Sequence, residues 1–174
     1  SDPRVAVFVP TINEAVDIVR RTLLSAQRMQ HASEVWLLDD GNRPEMRLLA
    51  NEVGCRYLAR TENCNAKAGN LNNALAHTSA EFIAVFDADH APAPAFLKET
   101  LGFFSDERVA FVQTPQDFYN LDSFQHRLGT RNSRVWSEQT LFFRVIQAGK
   151  DRWNAAFFCG SCGVVRRAAL DDIG

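Results

Sequence analysis

The sequence lacks the features that mark several protein classes. No apolar run approaches the roughly 20 residues that cross a membrane as a helix. The formal net charge of −2 provides no positive excess for binding nucleic acid. No internal repeat, low-complexity segment or linker divides the 174 residues. These absences leave a single soluble globular domain over residues 1–174, which is long enough to bury a sizeable core.

Cysteine is sparse, with four residues: Cys55, Cys64, Cys159 and Cys162. The last two form a C-x-x-C pair, a spacing found in zinc sites and redox sites. A structural zinc site would need a second pair or histidines at short spacing, and the sequence has neither. A redox pair would stand at the start of a helix, whereas FFCGSCGVV is typical of a turn and a strand. Reduced thiols in a cytoplasmic compartment are the simpler interpretation.

Apolar runs alternate with helical patterns along the chain, as a parallel α/β sheet requires. Strands are predicted at 5–10, 34–40, 55–60, 82–89 and 109–115, with a last one in 157–167. Helices are predicted at 14–29, 44–53, 69–78 and 94–104, and over 123–147 in two pieces. The strands carry apolar residues in succession, so helices should cover both faces of the sheet.

The run FIAVFDADHAP (82–92) takes a buried strand directly into two carboxylates. In an extended chain Asp87 and Asp89 project to the same side, where each raises the free energy needed to ionise the other. A hydrated divalent cation that carries a phosphate would relieve this repulsion. His90 follows and could be a third ligand, a phosphate donor or a turn cap. The structural alternative is an aspartate that caps the next helix.

Two other strand ends are polar, in the segments PTINE (10–14) and DDGN (39–42). Ligands of open parallel sheets bind beyond the carboxyl ends of the strands, so these segments and DADH are expected to meet at one edge. Asp39 and Asp40 could accept hydrogen bonds from a nucleobase N–H or from ribose hydroxyls. Alternatively, one of them could cap the helix that begins at Pro44.

The segment NCNAKAGNLNNAL (63–75) places Lys67 just ahead of a predicted helix start at Gly69. Free N–H groups and a lysine at a helix start suit a phosphate. An asparagine-rich helix cap with a solvated lysine is the alternative. The G-x-x-x-x-G-K-[ST] pattern of a P-loop is absent from the sequence.

The motifs PTINE, DDG, NAKAGN, DADH, QTP and DRWNAAFFCGS follow one another in this order. With them, the chain resembles the catalytic domain of processive family 2 glycosyltransferases from about Val5 to its last residues, and among these it looks most like the bacterial cellulose synthases. DDG and D-x-D are shared with many transferases. The combination of AKAGN with DADH and FFCGS is far more specific.

The resemblance implies a GT-A fold, which is a Rossmann-like, mostly parallel sheet with helices on both faces. It implies an inverting transfer from a UDP-sugar, with UDP-glucose as the expected donor, to a growing glucan, with Mg²⁺ or Mn²⁺ as cofactor. Asp39 and Asp87 would take part in catalysis. The resemblance assigns nucleotide-sugar binding to Thr11, Glu14, Asp39, Asp40, Lys67 and Asp87, metal binding to Asp87 and Asp89, and acceptor contacts to Trp153, Cys159, Gly160 and Ser161.

Three positions depart from the family's usual residues. Ile12 stands where tyrosine is usual, Asn65 where histidine is usual, and Gln116 follows QTP where cellulose synthases often have histidine. These departures leave the predicted fold unchanged. They keep open the synthesis of another β-linked polysaccharide.

The family's general base, an aspartate in a T-E-D motif, and its later Q-x-x-R-W motif do not occur in the 174 residues. Asp171 and Asp172 are no substitutes, because they are predicted to lie in the preceding helix. We therefore expect a piece of a longer membrane protein, truncated before the catalytic-base motif. The parent would act at the cytoplasmic face of the plasma membrane, with a possible accessory subunit, and the piece should bind UDP and metal without turnover.

Two other functional classes stay open. A nucleotide-binding module could regulate or scaffold without chemistry, and the sequence after Gly174 in the parent gene would discriminate it. Phosphatases of the haloacid-dehalogenase type also use D-x-D, but on the first strand and with Thr or Val two residues after the second aspartate. Here that position is Ala91 and the motif lies on the fourth strand, which argues against a phosphatase.

Overall fold

The computed structural model describes residues 2–60, 66–114, 142–144 and 162–171. The strands in these ranges are β1 (Val5–Thr11), β2 (Ala32–Asp39), β3 (Arg56–Ala59), β4 (Phe82–Val85), β5 (Phe111–Gln113), β6 (Phe142–Arg144) and β7 (Gly163–Arg166). The helices are α1 (Val16–Gln27), α2 (Pro44–Val53), α3 (Ala66–Leu75), α4 (Phe96–Leu101) and α5 (Arg167–Asp171), and a 3-10 turn, Gly102–Ser105, follows α4.

The strands form one seven-stranded sheet in the order β3-β2-β1-β4-β7-β5-β6. β1 pairs in parallel with β2 and β4, and β2 pairs in parallel with β3. β7 is antiparallel to both β4 and β5, and β6 is antiparallel to β5. Strands β1 to β5 therefore run in one direction, so the predicted mostly parallel sheet is confirmed.

Alternate strand residues supply two apolar layers, one on each face of the sheet. Val7 of β1 belongs to a buried cluster with Leu23 of α1 and Leu49 of α2. Phe8, its neighbour in β1, belongs to a second cluster with Leu71 of α3. Helices thus cover both faces, as the succession of apolar residues predicted.

The strand register brings the polar strand ends to one edge, as predicted. Thr11 at the end of β1 lies opposite Asp39 at the end of β2. On the other side of β1, Phe8 lies opposite Val85, the last residue of β4. The acidic segment 87–90 therefore leaves the sheet beside residues 11–14 and 39–42.

Most predicted helices and strands shift by up to three residues at their ends, and two predicted elements differ more. The predicted helix over 123–147 is wrong at 142–144, where the backbone pairs with β5 as β6, and the rest of that range lies outside the described residues. Pairing with a strand far away in the sequence determined the conformation of residues 142–144, and a local sequence pattern cannot show such pairing. The strand predicted to reach Asp89 ends at Val85, because the chain turns, with the His90 N–H donating to the Asp87 carbonyl at 3.0 Å.

No helix in the described ranges is both long enough and apolar enough to span a bilayer.

At the opposite edge of the sheet, one buried carboxylate joins four segments. Glu34 accepts hydrogen bonds from Trp36 Nε1 and Thr78 Oγ1, both at 2.8 Å, and from Arg4 Nη2 at 3.3 Å. Arg56 Nη1 lies 3.4 Å from the same carboxylate. The fold is stabilised here by residues that are far from the polar strand ends.

We expect Glu34→Gln to lower the free energy of unfolding by about 1–3 kcal/mol, because an amide cannot accept all of these hydrogen bonds. Urea denaturation would measure the loss. The matched control is Glu52→Gln, which removes an exposed ion pair with Arg20 and should change stability little. Equal stability of the Glu34 variant and the wild type would contradict the assignment.

Candidate functional site

Asp87, Asp89 and His90 lie together on the loop that follows β4. One ligand atom of each, a carboxylate oxygen or an imidazole nitrogen, lies within 4.8 Å of the others. His90 Nδ1 is 3.8 Å from Asp87 Oδ2, and His90 Nε2 is 3.7 Å from Asp89 Oδ1. Two carboxylates suit Mg²⁺ or Mn²⁺, and an imidazole can complete such a set. The residues predicted to hold a cation are therefore close enough to share one.

Ala88, which lies between Asp87 and Asp89, is buried and so fixes the direction in which the two flanking carboxylates project. Ala88 is buried in the apolar layer that includes α1, and Thr22 Oγ1 of α1 donates to its carbonyl at 2.7 Å. The side chains of Asp87 and Asp89, on either side of it, are 32% and 61% exposed. Helix α4 begins after Ala95 without a side-chain cap, so neither aspartate caps it.

Lys67 provides the positive charge nearest to this pair among the described residues. Its Nζ forms an ion pair with Asp87 Oδ1, and both side chains are 32% exposed. The prediction that Lys67 precedes a helix start at Gly69 is wrong, because α3 begins at Ala66 and contains the lysine in its first turn. Ala and Lys are strong helix formers, which accounts for the earlier start. Lys67 remains open enough to meet a phosphate.

Residues 11–14 form a compact loop around the Glu14 carboxylate. Glu14 Oε2 accepts hydrogen bonds from Thr11 Oγ1 at 2.6 Å and from the N–H groups of Ile12 and Asn13 at 2.9 and 3.2 Å. Partial burial raises the pKa of the Glu14 carboxyl, but these hydrogen bonds outweigh burial and lower it below its ordinary value. The group is therefore a fixed acceptor in neutral solution.

Asp39 lies at the predicted edge, but its carboxylate is fully buried. It accepts hydrogen bonds from the N–H groups of Gly41 at 3.0 Å and Arg43 at 2.6 Å, and from Tyr57 Oη at 2.9 Å. Burial, together with the hydrogen bond to Asp39, raises the pKa of Tyr57 to about 12. Asp39 thus stabilises the turn before α2 but does not cap that helix, whose N-cap residue, Arg43, has no side-chain cap bond. Its contact with a nucleoside stays a prediction.

The structure does not place Asp39 and Asp87 on the same side of the sheet. Leu37 and Tyr57 belong to the apolar layer of α1 and α2, and Asp39 follows Leu37 by two residues and contacts Tyr57. Asp87 instead contacts Lys67 of α3, on the opposite face. The two carboxylates share an edge but have different surroundings.

Asp40 also has an internal partner. Its Oδ1 accepts a hydrogen bond from Arg60 Nε at 2.8 Å, and both side chains are buried. Arg43 and Arg60 were not identified as site residues from the sequence. An arginine two residues after DDG was the available signal for Arg43, since acids at a strand end need nearby cations.

Most of the remaining predicted site residues belong to the acceptor side, near the C-x-x-C segment. Trp153, Cys159, Gly160 and Ser161 lie outside the described residues, so their acceptor-side role stays a prediction. Cys162 is described, and its Sγ lies 3.7 Å from His90 Nδ1. The end of the C-x-x-C segment therefore reaches the acidic loop. Cys55 is a free thiol, and the reduced state of the other cysteines stays a prediction.

Comparison with known proteins places this site in a family context. The model of the family described as Glycosyl transferase family 2 matches residues 6–174. Cellulose synthase 1 of Komagataeibacter xylinus is 47% identical over 99% of the chain. The UDP-forming cellulose synthase catalytic subunits of Xanthomonas axonopodis pv. citri (strain 306) and Pseudomonas fluorescens (strain SBW25) are 44% and 47% identical over the same share. The chain spans 11% of the first relative and 24% of the other two.

Solved structures agree on the fold. A mannosyltransferase from Pyrobaculum calidifontis, in complex with GDP-Man and Mn²⁺, has a TM-score of 0.68, with 22% identity over 100% of this chain and 47% of its own. Glucosyl-3-phosphoglycerate synthase from Mycobacterium tuberculosis, in complex with Mn²⁺, UDP and glucosyl-3-phosphoglycerate, has a TM-score of 0.55, with 22% identity over 63% of this chain and 42% of its own. The predicted GT-A fold is confirmed.

We expect Asp89→Asn to weaken Mn²⁺ binding roughly tenfold or more, because it removes an exposed anionic ligand. Titration of free Mn²⁺ by electron paramagnetic resonance would measure the affinity. Asp106→Asn is the matched control, since Asp106 is an exposed aspartate paired with Arg108 outside the loop. Equal Mn²⁺ affinities of the two variants would count against a cation site at Asp87 and Asp89.

Proposed function

This chain belongs to glycosyl transferase family 2, and from that premise we propose that it is the donor-binding part of an inverting, UDP-sugar-dependent polysaccharide synthase. The expected donor is UDP-glucose and the expected product a β-1,4-glucan. The observation that carries the proposal is the group of Asp87, Asp89 and His90 beside Lys67, at the carboxyl edge of a GT-A sheet. The similarity to UDP-forming cellulose synthase subunits supports the choice of donor.

In this proposal Asp87 and Asp89 hold Mg²⁺ or Mn²⁺, with His90 as a possible third ligand. The ion would supply positive charge to the diphosphate as the nucleotide leaves. Lys67 adds a second positive charge at the same place, where a phosphate oxygen can replace Asp87 as its partner. Asp87 and Asp89 would thus bind the donor through the cation.

The nucleoside would lie over the ends of β1 and β2. Glu14 offers a fixed carboxylate acceptor for a uracil N–H or a ribose hydroxyl, and Thr11 holds that carboxylate in place. Asp39 and Asp40 would form the inner wall of this pocket. Asp39 is fully buried and both acids are held by internal partners, so in this geometry they would contribute through the shape of the turn.

The acceptor side completes the proposed reaction. A glucan hydroxyl would attack the anomeric carbon from the face opposite UDP, with Trp153, Cys159, Gly160 and Ser161 beside the growing end. The base that takes the hydroxyl proton belongs to the T-E-D motif, which the 174 residues do not contain. Loss of a general base alone lowers the rate roughly 10²–10⁴-fold, so the chain should bind the donor without turning it over.

We propose further that the chain is part of a longer protein that works at the cytoplasmic face of the plasma membrane, with an accessory subunit as a possible partner. The fraction of each relative that it spans, 11% or 24%, supports a longer parent. Ile12, Asn65 and Gln116 differ from the residues that are usual in the family, so another β-linked polysaccharide is the alternative product.

A second candidate is a nucleotide-binding module that regulates or scaffolds without chemistry. The parent sequence after Gly174 discriminates the two. T-E-D and Q-x-x-R-W motifs there support the synthase, and their absence supports the module.

We expect the chain to bind UDP in the presence of Mn²⁺ and to bind it weakly in its absence, because the diphosphate needs the cation. Isothermal titration calorimetry measures both affinities. Lys67→Gln should weaken UDP binding roughly tenfold, whereas the control Lys98→Gln, an exposed lysine on α4, should not. Equally weak heats with and without metal would contradict the proposal, as would rapid phosphate release from a generic phosphomonoester.

A further inference from the structure

One guanidinium joins the two segments assigned to the nucleoside. Arg43 Nη1 donates to the backbone carbonyl of Glu14 at 2.7 Å, and Nη2 donates to Thr11 Oγ1 at 2.9 Å. Its Nε lies 3.6 Å from Asp39 Oδ1, and its backbone N–H donates to Asp39 Oδ2 at 2.6 Å. Arg43 therefore contacts the loop after β1 and the turn after β2 at the same time.

The planar guanidinium is suited to this task. It carries several N–H donors in a rigid fork, so one side chain can hold acceptors that lie in different directions. The side chain of Arg43 is largely buried between the two segments, at 19% exposed. A lysine could keep the positive charge near Asp39 but could not reproduce the two directed bonds to Glu14 and Thr11.

Close backbone contact supports the same connection. A Cβ atom added to Gly41 would lie 2.6 Å from the carbonyl oxygen of Ile12 and 3.1 Å from Arg43 Cγ. The turn and the loop therefore touch at a point where no side chain fits. Displacement of residues 39–43 would displace residues 11–14 as well.

The contact between the loop and the turn fixes the position and orientation of the Glu14 carboxylate. Its main chain is held by Arg43, and its Oε2 is held by Thr11 and two backbone N–H groups. Its Oε1 accepts no hydrogen bond from the residues that the structure describes. A carboxylate fixed on one side, with one oxygen left over, is preorganised to accept a donor group from a ligand.

We propose that Arg43 is a positioning residue for donor binding, because its guanidinium holds the Glu14 loop against the Asp39 turn in the geometry that accepts the nucleoside. The inference rests on the proposed function. Arg43 itself touches neither the predicted cation ligands nor Lys67 among the described contacts. Its effect should therefore be confined to the nucleoside half of the donor.

The test compares two ligands that use different halves of the site. UDP needs the nucleoside loop, whereas inorganic pyrophosphate with Mn²⁺ needs only Asp87, Asp89 and Lys67. We expect Arg43→Gln to weaken UDP binding roughly tenfold while pyrophosphate binding stays within about twofold of the wild type. Arg43→Lys should restore binding only in part. Calorimetry with Mn²⁺ present gives both affinities for each protein.

Arg20→Gln is the matched control, since Arg20 forms an exposed ion pair with Glu52 between α1 and α2. It should leave both affinities unchanged. If Arg43→Gln does not fold, Thr11→Val removes the hydroxyl that Arg43 and Glu14 share and should give the same selective loss. Thr11→Ser keeps that hydroxyl and should not.

Each outcome has a separate meaning. A parallel loss of UDP and pyrophosphate binding would show a structural role only and would overturn the inference. Unchanged UDP binding by Arg43→Gln would overturn it as well, with the proposed function intact. If the wild type itself bound no UDP with Mn²⁺, the proposed function would fail, and the positioning role would fail with it.

Discussion

The parallel pairing of β1 with both β2 and β4 is the constraint on which the rest of the structure depends. It brings Thr11 opposite Asp39 and Phe8 opposite Val85, so three polar segments leave the sheet at one edge. The same pairing creates an electrostatic problem, because each segment carries at least one carboxylate. Like charges gathered in one place must be compensated by cations, by hydrogen bonds or by a bound metal ion.

Internal cations compensate the acids unequally. The pair of Asp40 and Arg60 is buried, and Asp39 is enclosed by backbone N–H groups and Arg43, so these acids stabilise the turn. Lys67 and Asp87 are partly open, and Asp89 is mostly exposed. Ligands can therefore reach the acidic loop directly, whereas the Asp39 turn affects a ligand mainly by holding Arg43 and, through it, residues 11–14 in place. The exposed acidic loop is therefore the part of this edge that can bind a charged ligand, whereas the buried turn at Asp39 determines the shape of the edge.

Sequence reasoning succeeded where the signal is local. The alternation of apolar runs and helical patterns predicted α/β order and helices on both faces, because each element buries its own apolar residues. Asp87 and Asp89, predicted from their spacing to share a cation, lie with His90 close enough to hold one, and metal binding itself stays a prediction. The order of the motifs predicted the family that the match to the family model confirms.

Other features depend on partners far along the chain, and only the tertiary structure decided them. Residues 142–144 became a strand by pairing with β5, although the surrounding pattern predicts a helix. Asp39 became a buried acceptor because Tyr57 and Arg43 reach it. Sequence by itself determined which segments form the sheet and which side chains could carry chemistry. The fold decided which acids stay open to a ligand, because the partner that buries or pairs each acid is brought to it by strand register and helix packing.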